Sequence, residues 1–366
     1  MGYYIVKEPN YFRGFACIGS SCESNCCHGW EDLIWLNGEY EKLLTLSDGI
    51  RETAEKAFER LDIPEFDAPL WNLKLSDRKC PFLAENSLCS IQREFGGEFI
   101  SNTCRIYPRV SVFNSAVMTR GCYASCPEVA KTLLNDEFAL EICVRQVQVD
   151  GNEITLSSVL YEGEEDFSEY PALRFRNELF GLFYDILSDR KRALDENMLL
   201  GLETAKRISK ANTEDIPALI EQEQRRFKAP ESKPKREFQY NKTEELFTEI
   251  FGSNETISAV LVNGKPDVGK ISEGVLLFPK YFFGNLALNF LFELRMPFCF
   301  ADKSVFENYS FLLSVYSLAK LLLSASALEG GVDLALERLS EFDRAIIHDG
   351  DAAEKIFAVG TSPKTF

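Results

Sequence analysis

The segment from Cys17 to Trp30, C-I-G-S-S-C-E-S-N-C-C-H-G-W, constrains this chain more than any other stretch. Its four sulfurs follow the spacing C-x4-C-x3-C-C, with Gly14, Gly19 and Gly29 nearby to let the backbone turn sharply. A regular helix or strand does not suit such a segment. A wrap around an inorganic centre does. Ten of the eleven cysteines lie between Cys17 and Cys143, and only Cys299 lies beyond.

The N-terminus shows neither a basic start nor a long apolar run, so no secretory signal is read and the expected compartment is the cytosol. Thiols stay reduced there, and the cysteines then point to metal rather than to a disulfide framework. The 366 residues have room for about two domains. The sulfur asymmetry divides them into a cysteine-rich metal domain over 1–143 and a helical domain over 144–366. The net charge of -17 disfavours nucleic acid and anionic membranes as partners, since both recruit clustered Lys and Arg. Tyr309 to Leu328 is long enough to cross a membrane, but it carries Lys320 and five serines and reads as a buried bundle helix.

The fold class expected is α+β and predominantly helical. The pattern Ile50, Ala54, Ala57, Phe58, Leu61 predicts a helix over 49–61, and a short helix should end at Gly96-Gly97. Val110 to Thr119 reads as a hairpin turning at Asn114-Ser115, and Val144 to Leu156 as a second one turning at Asp150-Gly151. Cys126-Pro127-Glu128 has the signature of a helix start, with Cys126 as N-cap, Pro127 in the first turn and Glu128 at the positive dipole end. From Tyr170 onward long amphipathic segments predict helices, with very apolar runs over Val275–Leu294 and Tyr309–Leu328. Arg225 to Lys242 carries seven Lys or Arg against two Glu; it reads as a linker or loop, with a docking strip for an acidic partner as the alternative.

None of the cysteine spacings is the C-x2-C of zinc fingers. C-x4-C-x3-C-C, the C-x8-C of Cys80 and Cys89, and the C-x3-C of Cys122 and Cys126 suit a larger iron-sulfur centre, with zinc as the alternative. Only His28 and His348 could serve as the base of a hydrolase, and His28 reads as a turn residue or a metal ligand. No glycine-rich dinucleotide or phosphate loop is present. Glu23, Glu31 and Asp32 beside the cysteines read as surface charges.

Four motifs in order carry a family resemblance: Tyr11-x2-Gly14-Phe15-x-Cys17-Ile18-Gly19-Ser20-x-Cys22-x2-Asn25-Cys26-Cys27-x-Gly29-Trp30; Cys80-Pro81-Phe82-Leu83 with Leu88-Cys89; Ser101-x-Thr103-Cys104-x2-Tyr107-Pro108-Arg109; and Ser125-Cys126-Pro127-Glu128. Over about 11–135 the chain resembles the flagellin lysine-N-methylase family, whose relatives among zinc- or iron-chelating proteins share the doubled cysteine. The resemblance implies a bacterial enzyme that moves a methyl group from S-adenosylmethionine to lysine side chains of flagellin, with an iron-sulfur cluster, 4Fe-4S in type. The matching metal positions are Cys17, Cys22, Cys26, Cys27, Cys80, Cys89, Cys104 and Cys126; Cys122 and Cys143 fall outside. These sulfurs exceed the ligands of one cluster, so either two centres exist or one takes four of them, with Cys26 and Cys27 supplying at least one. Arg105, Tyr107 and Arg109 are candidates to hydrogen-bond cluster sulfurs or hold the donor's carboxylate, and a surface turn set by Pro108 is the structural alternative. Methyl transfer needs a neutral lysine amine, hence a base or a desolvating pocket. A non-catalytic chelating or redox-sensing module is the competing reading.

Overall fold

The computed structural model describes residues 2–22, 24–28, 33–64, 66–149, 159–161, 164–229, 233–234, 241–252, 267–347 and 350–360. Glu23, Gly29 to Asp32, the Asp150-Gly151 turn, His348 and most of the basic stretch after Ala229 lie outside them. The chain forms two compact units, one of residues 1–15 with 109–366 and one of residues 16–108.

Strand β1 (Gly2–Pro9) opens the larger unit, and a 3-10 turn over Asn10–Arg13 buries Tyr11 and Phe12. The smaller unit follows, with β2 (Ile34–Leu36), α1 (Asn37–Leu44), α2 (Asp48–Ala57), β3 (Phe58–Leu61), β4 (Leu70–Leu73), α3 (Ser90–Phe95) and α4 (Asn102–Ile106). The three strands form an antiparallel sheet in the order β2-β4-β3. Trp35, Tyr40, Leu43, Phe58, Leu73, Phe82 and Ile91 make its core. Tyr40 stacks on Trp71 at 3.7 Å between ring centroids, and Trp35 meets Phe58 edge-on at 5.3 Å. The helix expected over 49–61 stops at Ala57. Phe58 to Leu61 pair with Leu73 to Leu70 instead, because ladder bonds and the burial of Phe58 outweigh local helical periodicity. As expected, α3 ends at Gly96, whose φ of 99° suits a glycine.

The larger unit resumes with β5 (Arg109–Asn114), β6 (Val117–Cys122), α5 (Pro127–Asn135), β7 (Ile142–Val149), β8 (Val159–Tyr161) and α6 (Glu164–Glu169). The hairpin at Asn114-Ser115 and the helix capped by Cys126 with Pro127 at its first turn form as the sequence predicts. The five strands run in the order β7-β1-β6-β5-β8, with β1 parallel to β6 and antiparallel to β7. The partner of β7 is thus β1 along its whole length, since Gly2 to Pro9 complete its ladder. Helices α7 (Arg176–Leu187), α8 (Leu194–Ile208), α9 (Ile216–Lys228), α10 (Asn241–Phe251), α11 (Ile271–Val275), α12 (Phe282–Glu293), α13 (Val305–Ile347) and α14 (Gly350–Gly360) complete the unit.

The start of the basic stretch belongs to α9, where Arg226 is paired with Glu223 at 2.9 Å. Among the described residues, α13 is long and apolar enough to cross a membrane, yet Tyr309 to Ala327 is almost entirely buried inside the unit, as a core helix should be. It bends at Gly330-Gly331, where Gly331 takes a φ of 87°. Gly121 admits α12: a Cβ there would lie 2.6 Å from Phe292 Cβ.

Candidate functional site

In the smaller unit three cysteine segments are tied by backbone bonds. Cys80 N–H donates to Cys27 O at 2.9 Å, Ser90 N–H to Phe82 O at 2.8 Å, and His28 forms a bridge with Lys79. Helix α4, which carries Cys104, is capped by Ser101 Oγ, which accepts from Cys104 N–H at 3.1 Å. Glu39 also accepts from Asn102 N–H at 2.7 Å. The Cys27 thiol is hydrogen-bonded to Cys26, which favours its ionisation, and to Cys80, which opposes it. The Cys80 bond, burial and the charges of Cys80 and Cys104 prevail, and the Cys27 thiol is pushed up to about 12. Cys104 is exposed at its surface, yet the protein around its sulfur outweighs its Ser101 bond and, with the charges of Cys26, Cys89 and Glu39, pushes it up to about 12.

The charges of Cys80 and Cys104 oppose ionisation of Cys27, and those of Cys26 and Cys89 oppose ionisation of Cys104, so these five thiols share one electrostatic neighbourhood. A soft cation would relieve that mutual repulsion, and this is the respect in which the donor set fits a metal. Among the described residues no group of three or more His, Cys, Asp or Glu is set at coordination geometry. Cys17 is exposed and its Sγ accepts from Gly19 N–H at 3.4 Å, Cys22 is partly buried, and Cys126 belongs to the larger unit. Arg105 is exposed on α4, and Tyr107 caps the C-terminal end of that helix. Arg109 lies in the larger one, its guanidinium donating to Phe15 O at 3.4 Å and acting on the Cys122 thiol.

The larger unit holds a polar site that the cysteine motifs do not announce. Asn285, Asn289 and Glu293, spaced i, i+4, i+8, make a buried polar stripe along the otherwise apolar α12. Asn285 Nδ2 donates to Leu133 O at 3.1 Å and to Asp136 O at 2.8 Å, at the end of α5. Asn289 Nδ2 donates to Cys122 O at 3.0 Å, and Asn289 Oδ1 accepts from Tyr11 Oη at 2.8 Å. Tyr11 Oη in turn accepts from Cys122 N–H at 3.0 Å. Glu293 Oε2 accepts from Ala124 N–H at 2.8 Å and from Asn289 Nδ2 at 2.9 Å. Asp343 of α13 accepts from Ser125 N–H at 2.6 Å, and Arg344 Nη2 reaches Ser125 O at 3.4 Å. The loop Cys122 to Cys126 is thus gripped from several sides by residues far away in sequence.

Glu293 and Asp343 are both fully buried, Glu293 Oε1 and Asp343 Oδ1 accept no other hydrogen bond, and the two carboxyls act on each other closely enough to share a proton. Burial raises both above the ordinary carboxyl range, and Asp343 raises Glu293 further. Tyr123, in the gripped loop, feels Arg295 on one side and the two carboxyls on the other. Sequence periodicity passes over Asp343 because it stands among Glu337, Arg338, Glu341 and Arg344 and reads as a solvated charge; the stripe of Asn, Asn and Glu at helical spacing is the signal that exposes Glu293. The same unit has a cleft of about 1160 Å³ lined by Phe278, Tyr281, Phe283, Tyr316, Asp195 and Lys320, among others. Lys320 Nζ is paired with Asp195 at 2.9 Å.

A mixed α+β chain that joins a thiol-rich unit to a helical one gripping a cysteine loop with a buried acid pair resembles no solved structure at a significant level. Sequence comparison does place it. Residues 181–359 match the FliB lysine N-methylase C-terminal domain, the segment that contains both Glu293 and Asp343. Lysine-N-methylase of Salmonella choleraesuis (strain SC-B67) is 28% identical over 145 residues, 39% of this chain and 35% of that protein. The lysine-N-methylase of Salmonella typhimurium (strain LT2) gives the same figures of 28%, 39% and 35%. Flagellar biosynthetic protein FliU of Salmonella muenchen is 29% identical over 140 residues, 37% of this chain and 81% of that protein. The helical unit is thus similar to the C-terminal domain of FliB-like lysine N-methylases, while the chain's match spans about a third of the length of the two curated methylases.

Proposed function

We propose that the chain is a protein lysine N-methyltransferase that takes its methyl group from S-adenosylmethionine and acts on flagellin in the cytosol. The observation that carries the reading is the match of the helical unit to a lysine N-methylase domain, with the buried Glu293–Asp343 pair inside the matched segment. The flagellar name of one relative supports a flagellar substrate. In the cleft beside α12, Lys320 Nζ lies over the rings of Phe283 and Tyr316 at 6.0 Å and 5.7 Å, so the aromatic lining suits a cationic side chain.

In this reading Cys26, Cys27, Cys80, Cys89 and Cys104 supply the ligands of a metal centre, an iron-sulfur cluster by the number of sulfurs and zinc if fewer engage. Bound there, the centre staples the three cysteine segments of the smaller unit. Glu293 and Asp343 are sealed from solvent, so they reach no protein substrate; they position the Cys122–Cys126 loop. Incubation of the full chain, purified anaerobically, with flagellin and S-adenosylmethionine tests the activity: lysines should gain the mass of one or more methyl groups. Metal bound with no methyl transferred and no donor binding would instead establish a chelating or redox-sensing module.

A further inference from the structure

Arg176, the first residue of α7, is 1% exposed, and its Nε and Nη1 have no hydrogen-bond partner. That placement is unfavourable twice over, because a guanidinium removed from water needs acceptors and because the start of a helix repels a cation. Its visible compensation is the ring of Phe180, 5.7 Å from the guanidinium carbon. Phe180 packs edge-on against Phe292 of α12 at 5.1 Å, and just past Phe292 comes Arg295. Arg295 also has a partnerless buried Nε, and its φ of 56° is a strained backbone for a non-glycine residue.

Arg176 and Arg295 feel each other's charge, and Tyr161 lies in reach of both. The strand partner of Tyr161 is Asn114, whose carbonyl accepts from Asn177 Nδ2 at 3.1 Å, so β8 and the start of α7 are pinned together. Lys7 on β1 is within electrostatic range of Arg176 as well. Tyr123 and Cys299 complete the surroundings of Arg295. Among the described residues no carboxylate forms an ion pair with either arginine. Two buried cations within each other's field, with donors left over, are the inverse image of an oxyanion.

We infer that Arg176 and Arg295, with Tyr161 and Tyr123 beside them, form an anion site that takes the carboxylate of a small ligand. The site stands apart from the proposed function; the assignment of its ligand to the amino-acid carboxylate of the methyl donor rests on that function. Inorganic phosphate is the other source of the same chemistry.

The test uses the full chain as wild type, Arg176→Gln, Arg176→Lys and Arg295→Gln. Calorimetry measures S-adenosylhomocysteine, which carries the carboxylate, against 5′-methylthioadenosine, which lacks it, and thermal melts measure inorganic phosphate. Wild type should bind S-adenosylhomocysteine at least about tenfold more tightly than methylthioadenosine, a difference of about 1.4 kcal/mol. The gap should close in both Gln variants and persist in part in Arg176→Lys. Without ligand, Arg176→Gln should melt no lower than wild type, since the charge it removes has no partner. Phosphate that stabilises wild type but neither Gln variant, without nucleoside binding, upholds the anion site and refutes the donor assignment. Equal responses of wild type and both Gln variants to every probe overturn the site itself. So does a lower ligand-free melting temperature of Arg176→Gln with unchanged binding, which would make the guanidinium purely structural. Should Arg176→Gln fail to fold, Arg295→Gln carries the comparison. A failed methylation assay with anion binding intact separates this inference from the activity.

Discussion

Replacing Glu293 tests the grip on the Cys122–Cys126 loop, because two variants of similar size differ only in what they can accept. In Glu293→Leu, the Ala124 N–H and Asn289 Nδ2 lose an acceptor at 2.8 Å and 2.9 Å in a site with no solvent. A buried donor left unsatisfied costs about 1–3 kcal/mol, so two cost roughly 2–6 kcal/mol. Glu293→Gln keeps a carbonyl for both donors and places an amide N–H where the proton shared with Asp343 lies, so its cost should stay below about 1 kcal/mol at pH 7. The pH dependence follows from direction alone. Both carboxyls are raised in the fold, by burial before any other cause, so the folded chain binds their protons more tightly than the unfolded one does. Their contribution is favourable at low pH and is lost as pH rises above the unfolded carboxyl range, near ~4. Urea titrations from pH 5 to 8 should therefore show wild type losing ground to Glu293→Gln as pH rises. Taking the difference between the two chains removes the other carboxylates common to both. Equal losses in the Gln and Leu variants, or a difference that does not change with pH, would refute the shared-proton account.

Three further outcomes follow from packing and pairing. A Cβ on Gly201 would lie 1.9 Å from Tyr309 Oη, so Gly201→Ala should lower stability by about 1–3 kcal/mol in thermal melts. Tyr309→Phe, which removes a buried hydroxyl with no partner, should restore most of that loss in the double variant. Burial pushes Glu8 up, but hydrogen bonds from Arg145 at 2.8 Å and Arg120 at 2.6 Å hold it below the usual carboxylate range, so its stabilisation holds above pH ~4.5 and is lost on acidification. Arg120→Met, which leaves Glu8 half-paired in a buried position, should cost about 3 kcal/mol by urea unfolding. Cys27→Ser should lower the iron or zinc that co-purifies, measured by elemental analysis, while Cys299→Ser should leave it unchanged.

Local signals were readable wherever the chemistry was local. The Cys126-Pro127-Glu128 helix start, the Asn114-Ser115 turn and the stop at Gly96 each rest on a few adjacent residues, and each is found. Phe58 to Leu61 were not, because their strand identity comes from Leu70 to Leu73 and not from their own pattern. The partnership of β7 with β1 spans most of the first 149 residues and leaves no local trace. At the site, the sequence pointed to the cysteines, and backbone ties such as Cys80 N–H to Cys27 O join the segments of Cys27 and Cys80. It did not point to Glu293, Asp343, Arg176 or Arg295, because Asp343 and Arg176 stand among other charged residues that read as a solvated face, and the surroundings of all four come from distant segments. The motif resemblance lies over about 11–135, whereas the matching family model covers 181–359, where amphipathic helical patterning is common to many unrelated chains.

The register of β1 also fixes a timetable for biosynthesis. Lys7 pairs with Thr119 and Val144, so β1 leaves the ribosome more than a hundred residues before either neighbour. At about 5–20 residues per second that delay is roughly 5 to 25 s. All of residues 16–108 emerge within the interval. The small unit can therefore fold first, while β1 stays without its sheet and keeps both rows of backbone groups unpaired. A chaperone that shields an extended segment until translation has passed Val149 would raise the yield of this chain more than one that acts on its helices.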